Sequence, residues 1–159
     1  MRGHNEKGKL KAWLQNAVQF DISRMTDNRI ESFLNILKND SQSKKTFLGF
    51  ASSFELIAQY LERKNIFLKD LGITAAVANS EYLNPYTKTT LGKHLNTQVL
   101  SRYSSEEVGI IAQQTLSSPN SFVINHASYY VEVLHLEKDE PVTTGEFGRI
   151  VVTDLFNHA

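Results

Sequence analysis

The sequence predicts an α/β fold, a mainly parallel sheet flanked by helices in the order βαβαβα, followed by antiparallel strands toward the carboxyl end. Three observations carry this reading. Short apolar runs alternate with segments of helical periodicity between residues 46 and 114. Ile73–Ala78 is apolar through most of its length, as a strand buried on both faces would be. After the turn Ser117-Ser-Pro-Asn120 the pattern changes to short β-rich runs broken by glycine and proline turns.

The elements follow in order. Residues 1–25 carry mixed charge and one Trp, Trp13, and read as an arm that packs against something without a core of its own. From Thr26, the residues Ile30, Phe33, Leu34 and Leu37 fall on one face at helical spacing, with Thr26 or Asp27 as cap and Asn39-Asp40 as stop. Thr46-Phe-Leu-Gly-Phe50 reads as a strand. Ser52 and Glu55 then have the spacing of a capping box, and Phe54, Ile57, Ala58 and Leu61 form the buried stripe of the helix behind it. Asn84-Pro85 opens another helix, because proline suits a first-turn position whose amide has no intrahelical partner. Thr97 to Tyr103 reads as the third strand, and Glu106 to Gln114 as a short helix after it. The runs Phe122-Val-Ile124, Tyr129–Leu136 and Gly148–Leu155 read as antiparallel strands. The expected organisation is one domain over 1–159: the arm 1–25, a helix plus βαβ core over 26–116, and antiparallel strands over 117–159.

Strand, helix, strand, helix, strand implies right-handed crossovers and a sheet covered on both faces. Such sheets bind ligands at the carboxyl ends of their strands. That rule places Ala51-Ser-Ser53, Asn79-Ser-Glu81 and Tyr103-Ser-Ser-Glu-Glu107 along one rim.

Composition narrows the chemistry. At 159 residues and 41% apolar, the chain can bury a real core. Seventeen basic and seventeen acidic residues cancel, so no long-range field recruits nucleic acid, and no nucleic-acid partner is expected. The absence of cysteine removes disulfides, thiolate zinc sites and thiol nucleophiles. No apolar run approaches the ~20 residues that cross a bilayer and the amino terminus lacks a signal-like apolar core, so membrane insertion is not expected and a cytoplasmic location is. The glycines spell neither a P-loop nor a dinucleotide fingerprint, and no nucleophile elbow surrounds a serine. His94, His126, His135 and His158 have no spacing that forces a shared metal and read as surface or packed side chains.

The pair Glu106-Glu107 admits two readings. Acids in a helix's first turn are favoured by its positive end without any ligand; alternatively, a carboxylate at the end of a strand can hold magnesium shared with substrate phosphates. Tyr103 just before could stack on a base.

Taken in order, Gly49-Phe-Ala-Ser-Ser53, Asn79-Ser-Glu-Tyr-Leu83, Tyr103-Ser-Ser-Glu-Glu-Val-Gly109, Tyr130-Val-Glu-Val133 and Gly145 to Ala159 resemble the adenylate-forming (AMP-binding) ligases. The branch resembled is that of phenylacetate-coenzyme A ligase and the CapK-type capsular polysaccharide biosynthesis proteins. The resemblance covers roughly residues 47–159. It implies a fragment of an enzyme in which a carboxylate attacks the α-phosphate of ATP to give an acyl-adenylate and pyrophosphate. By the same resemblance Ser80, Glu81, Tyr103 and Ser104 line the nucleotide site and Glu107 binds magnesium. ATP or AMP and magnesium are the implied ligands, coenzyme A is a further cofactor that the family uses, and a small-molecule carboxylate is the partner. Some family features are missing: Glu106 stands where a serine or threonine is usual, and the phosphate loop, the ribose-binding aspartate and the lysine-bearing carboxy-terminal domain are absent from the 159 residues. No residue is therefore assigned a catalytic role, and the piece alone is expected to turn over little. The alternative is a non-catalytic module that pairs through exposed sheet edges, with another copy or with the missing half of the ligase.

Overall fold

The computed structural model describes residues 14, 16–21, 24–39, 44–69 and 71–156. Trp13, most of the amino-terminal arm and His158 lie outside them. The chain divides into two compact units, residues 1–39 and 40–159.

The first unit is built on helix α1 (Asp27–Asn39), whose Ile30, Leu34 and Leu37 are buried at the predicted spacing. Before it, Phe20 packs its ring on Phe33 at 5.3 Å, and Arg29 lies over Phe20 at 4.9 Å while pairing with Asp21 at 3.3 Å. These exposed contacts orient the segment more than they stabilise it.

The second unit holds a five-stranded sheet of order β1-β2-β3-β4-β5 and a separate two-stranded sheet, β6-β7. Strands β1 (Lys45–Phe50), β2 (Ile73–Asn79) and β3 (Gln98–Ser105) are parallel neighbours, joined by helices α2 (Ala51–Arg63) and α3 (Pro85–Leu95). Two crossovers of the same hand, each stepping to the next strand in the same direction, put both helices on one face, and α2 packs along α3 accordingly. Ala75, Ala76, Val77 and Ala78 are buried in succession, so both faces of β2 are covered, as the sequence predicts. Leu61 and Leu91 are 0% and 1% exposed, and Ala76 and Ala78 of β2 are fully buried; small alanines in the central strand let the layers approach closely.

Helix α3 starts as its sequence predicts, with Asn84 accepting from the Thr87 amide at 2.7 Å and Pro85 in the first turn. It ends at Asn96 in the left-handed conformation, φ 52°. Helix α2 does not use the Ser52–Glu55 capping box. Strand β1 runs into it without a linker, so the capping position falls on Phe50, which is extended and makes no side-chain cap. Glu55 instead accepts from Asn84 at 3.1 Å and from Gln59 at 3.3 Å.

The largest departure follows β3. Residues 106–114 do not form a helix: Glu106-Glu107-Val108 is a tight turn, and β4 (Gly109–Gln113) returns antiparallel to β3. Gly109 pairs with Ser105 at φ +83°, a conformation that glycine adopts freely, and the β-branched Ile110-Ile111 continue the strand. The short β5 (Val123–Ile124) completes the sheet on β4. The hairpin β6 (Tyr129–Leu134) and β7 (Arg149–Asp154) agrees with the predicted antiparallel segment. Gly148 is required there by space, since a Cβ would collide with the Leu134 carbonyl oxygen.

Leu61→Ala should cost ~2–5 kcal/mol in urea unfolding, because it empties a sealed position between α2 and the sheet. Leu48→Ala, at a residue 60% exposed, should change stability by about 0.5 kcal/mol or less. Equal losses in the two would contradict the assignment of the helix-covered face.

Candidate functional site

The parallel register sets the site. Phe50 of β1 stands opposite Asn79 of β2, and Ala78 opposite Ser101 of β3, so the strands exit side by side. Two hydrogen bonds tie the exits. The Ser52 amide, at the start of α2, donates to a Glu81 carboxylate oxygen at 2.7 Å. The Ser104 hydroxyl donates to Asn79 Oδ1 at 2.7 Å. The start of α2, the loop after β2 and the end of β3 therefore form one rim, and Ser80, Glu81, Tyr103 and Ser104 lie on it.

Each residue's placement has a local cause. Ser80 is left-handed, φ 64°, a conformation uncommon for a non-glycine residue. That turn brings Glu81 back over the end of β1, where its carboxylate serves an amide at the α2 amino terminus. The Ser52 hydrogen bonds hold the Glu81 carboxyl below its ordinary value, with desolvation opposing only weakly. Tyr103 is 43% exposed near the end of β3, next to an irregularity that sets Tyr103 opposite Ala112 but Ser104 opposite Ile110.

Glu107 sits in the β3–β4 turn, fully exposed. Its own backbone amide and the Ser105 hydroxyl hold its carboxyl below the usual range. With no helix at this position, a helix dipole cannot account for the acid pair. The Val108 amide donates to Ser105 Oγ at 3.3 Å, closing the turn from within. From the second sheet, the buried Tyr129 donates its hydroxyl to the Val108 carbonyl. Asn125 reaches the same strand, its amide donating to Ile111 O at 2.8 Å. Neither Tyr129 nor Asn125 was signalled by the sequence, since nothing local marks a residue whose partner lies 21 or 14 positions away.

Magnesium can be tested against these side chains. Among the described residues no group of three acidic or histidine side chains converges as a metal cage. A single ionised carboxylate such as Glu107 fits a cation that keeps most of its shell for water and phosphate oxygens. His94 belongs to packing: Nδ1 meets Ile66 O at 2.7 Å and the ring stacks on Phe67 at 4.5 Å. His126 and His135 are exposed.

No protein-family model matches the chain, and no curated relative does. Solved structures do. A 2-hydroxyisobutyryl-CoA ligase in complex with 2-HIB-AMP and CoA superposes with a TM-score of 0.71 over 87% of this chain at 17% identity. MatB from Rhodopseudomonas palustris gives 0.62 over 86% at 14%, and a long-chain-fatty-acid-CoA ligase from Archaeoglobus fulgidus gives 0.63 over 79% at 15%. The chain spans 32%, 25% and 27% of those proteins, respectively. It therefore has the fold of one part of these ligases, including the mixed sheet and the antiparallel hairpin.

Because the folded-state pKa of Glu81 is depressed, its contribution is present above the ordinary carboxylate value of 4.5 and is lost as pH falls through the lowered value. Glu81→Gln should lower stability at neutral pH by ~0.5 kcal/mol, a small figure because solvent screens both partners. It should also flatten the acid limb of a melting-temperature profile. An unchanged acid limb would mean that the Ser52–Glu81 bond does not form.

Proposed function

We propose that this chain supplies part of the nucleotide cleft of an adenylate-forming, acyl-activating ligase of the phenylacetate-coenzyme A ligase and capsular-polysaccharide type, acting in the cytoplasm in cell-surface polysaccharide synthesis. The observation that carries the proposal is the rim: three motifs ordered as in that family occupy adjacent strand exits joined by the Ser52–Glu81 and Ser104–Asn79 hydrogen bonds. The ligase fold of the matched structures supports it. The branch and the pathway rest on the ordered sequence motifs.

In this reading the ring of Tyr103 would stack on adenine, Ser104 and the Ser80-Glu81 loop would border the base, and Glu107 would help to hold magnesium. The reaction joins a substrate carboxylate oxygen to the α-phosphorus of ATP and releases pyrophosphate. Magnesium would offset the crowded phosphate charge. Most contacts that stabilise that transition state lie on segments outside these 159 residues, so the chain binds nucleotide weakly and turns over little by itself.

Calorimetry should detect ATP binding that strengthens with magnesium, and Glu107→Ala should remove at least tenfold of that magnesium dependence while leaving the fold intact. Pyrophosphate release with a panel of carboxylic acids should appear once the chain is extended at both ends by its flanking sequence. An extended protein that is inert with magnesium would overturn the ligase reading.

One observation favours the second reading, an interaction module. The β6–β7 sheet has only two strands and shows Tyr130, Val133 and Ile150 at 58%, 44% and 51% exposure, whereas a two-stranded ribbon is stable only when something packs on it. Light scattering after size exclusion should then reveal a concentration-dependent dimer. A monomer at high concentration removes this reading.

A further inference from the structure

The charges of the chain cancel in total, yet within the second unit they are sorted. A parallel sheet has two unlike ends: strands β1, β2 and β3 begin at one of them, and helices α2 and α3 finish there. That end carries Lys44, Lys45, Arg63, Lys64, Lys69 and Lys93, whereas Glu55, Glu81, Glu106 and Glu107 lie toward the strand exits. Arg63 and Lys93 stand in last helical turns, where unsatisfied carbonyls favour a cation. Lys44 and Lys69 lie outside any helix, so helix dipoles do not account for them. Lys45 donates to Leu71 O at 3.1 Å, and Arg63 lies over the Tyr60 ring at 5.6 Å. Lys64, Lys69 and Lys93 are exposed and make no ion pair among the described residues. Glu62, in the last turn of α2, is engaged by the Tyr86 hydroxyl at 2.7 Å.

Phe67 stands in the middle of this group, 42% exposed. Its position is fixed from behind. Leu68 is buried, and its amide donates to His94 O at 2.7 Å. The buried His94 ring stacks on Phe67 at 4.5 Å, with Nδ1 on Ile66 O. The ammonium groups of Lys69 and Lys93 each lie 5.9 Å from the centre of the Phe67 ring. One exposed apolar side chain is ordinary on a protein surface. Here two like charges share it, with no carboxylate among the described residues pairing either of them.

We infer that this end of the second unit is a docking surface for an anionic lipid bilayer: Lys44, Lys64, Lys69 and Lys93 meet the headgroups, and the Phe67 ring enters the interface between them. The side-chain chemistry favours lipid over nucleic acid or an acidic peptide. Lysine is a point charge on a flexible stem and suits disordered headgroups, whereas the arginine fork suits a phosphate or carboxylate held in one geometry. A ring already stacked on His94 and flanked by two ammonium groups is poorly placed to stack on a base. An apolar ring beside cations matches the boundary where acyl chains meet headgroups. Each basic residue near an anionic leaflet adds roughly fivefold to affinity, so four lysines suffice for reversible attachment. No spanning helix is required, and none is found among the described residues. Docked in this way, the strand-exit rim of the unit faces away from the bilayer. The surface uses no residue of the rim, so it stands whether or not the ligase reading does.

The test is co-sedimentation of the full chain with vesicles of phosphatidylcholine alone and of phosphatidylcholine mixed with phosphatidylserine. The chain should bind the anionic vesicles only, and added salt should weaken the binding. Lys69→Gln with Lys93→Gln removes two exposed charges and no ion pair, so the melting temperature should hold while affinity falls roughly twentyfold. Lys44→Gln with Lys64→Gln should give a similar loss through different residues. Lys138→Gln, in the exposed β6–β7 loop, should leave binding unchanged. In bicelles of the anionic composition, a lipid spin-labelled just below the headgroup should broaden the Phe67 ring resonances and spare those of Tyr82, exposed after the exit of β2. No binding to anionic vesicles, equal binding to both kinds, unchanged affinity in both folded double variants, or a Phe67 ring untouched by the label would each overturn the proposal. So would displacement by soluble glycerophosphoserine, or tighter binding of a single-stranded oligonucleotide or of polyglutamate.

Discussion

The in-register parallel pairing of β1, β2 and β3 is the constraint on which the rest of the molecule depends. Parallel strands cannot be joined by a tight turn, so each connection must leave at the carboxyl end, cross the sheet as a helix and re-enter at the amino end. All the exits therefore gather on one edge. Once Phe50 is level with Asn79, the distance from the α2 amino terminus to the β2 exit is short enough for Glu81 to reach the Ser52 amide. No residue of the rim would meet another if a strand slipped by one position, because a slip also inverts which side chains face the helices. The buried alanines of β2 make such a slip costly, since it would exchange these small side chains at a close-packed layer for others.

The second organising event is the reversal at the end of β3. Up to that point the chain advances by crossovers, and then it turns back within three residues and runs antiparallel as β4. One outcome lies at the turn itself, where Glu107 projects on a loop closed by Ser105 and clamped by Tyr129. The other lies at the far end of β4, where Gln114 comes level with the interior of β3 and binds Ser101 and Lys88. A helix in place of β4 would have carried Gln114 away from β3. Both arrangements are thus consequences of one backbone choice.

The sequence made the helices legible because their signals are local. The stripe Phe54, Ile57, Ala58, Leu61 and the Asn84-Pro85 start each lie within one or two turns, and both appear as read. Strand β2 was legible because a run such as Thr74-Ala-Ala-Val-Ala78, flanked by loops, is too short for a buried helix. Strand β4 was not. Two glutamates before an apolar stretch look like a helix start, and the opposing signal, Gly109 four residues after Ser105, is weak until the Ser105–Gly109 pairing is known. The capping box failed for a related reason. Ser52 and Glu55 have the right spacing, but β1 continues to Phe50 and leaves Ser52 inside the helix, so the amide that needed a partner takes one from Glu81, 29 residues away. Of the rim, the sequence could place the loops at strand exits, but not the hydrogen bonds between them.

The ties across the rim also bear on what a ligand would meet there. Each is a single exposed or half-buried hydrogen bond worth ~1 kcal/mol net, too little to hold a fold together yet enough to bias a short loop toward one conformation. Ser80 shows the bias at work: its left-handed backbone is mildly unfavourable for serine, and the next residue, Glu81, makes the bond to Ser52. The Tyr129 clamp acts likewise on the turn that carries Glu107. Ordering these loops before a ligand arrives lowers the conformational entropy lost on binding. Residues on loops gain their precision from such fixed strand ends and cross-loop bonds, and Ser80, Glu81 and Glu107 all stand within two residues of one.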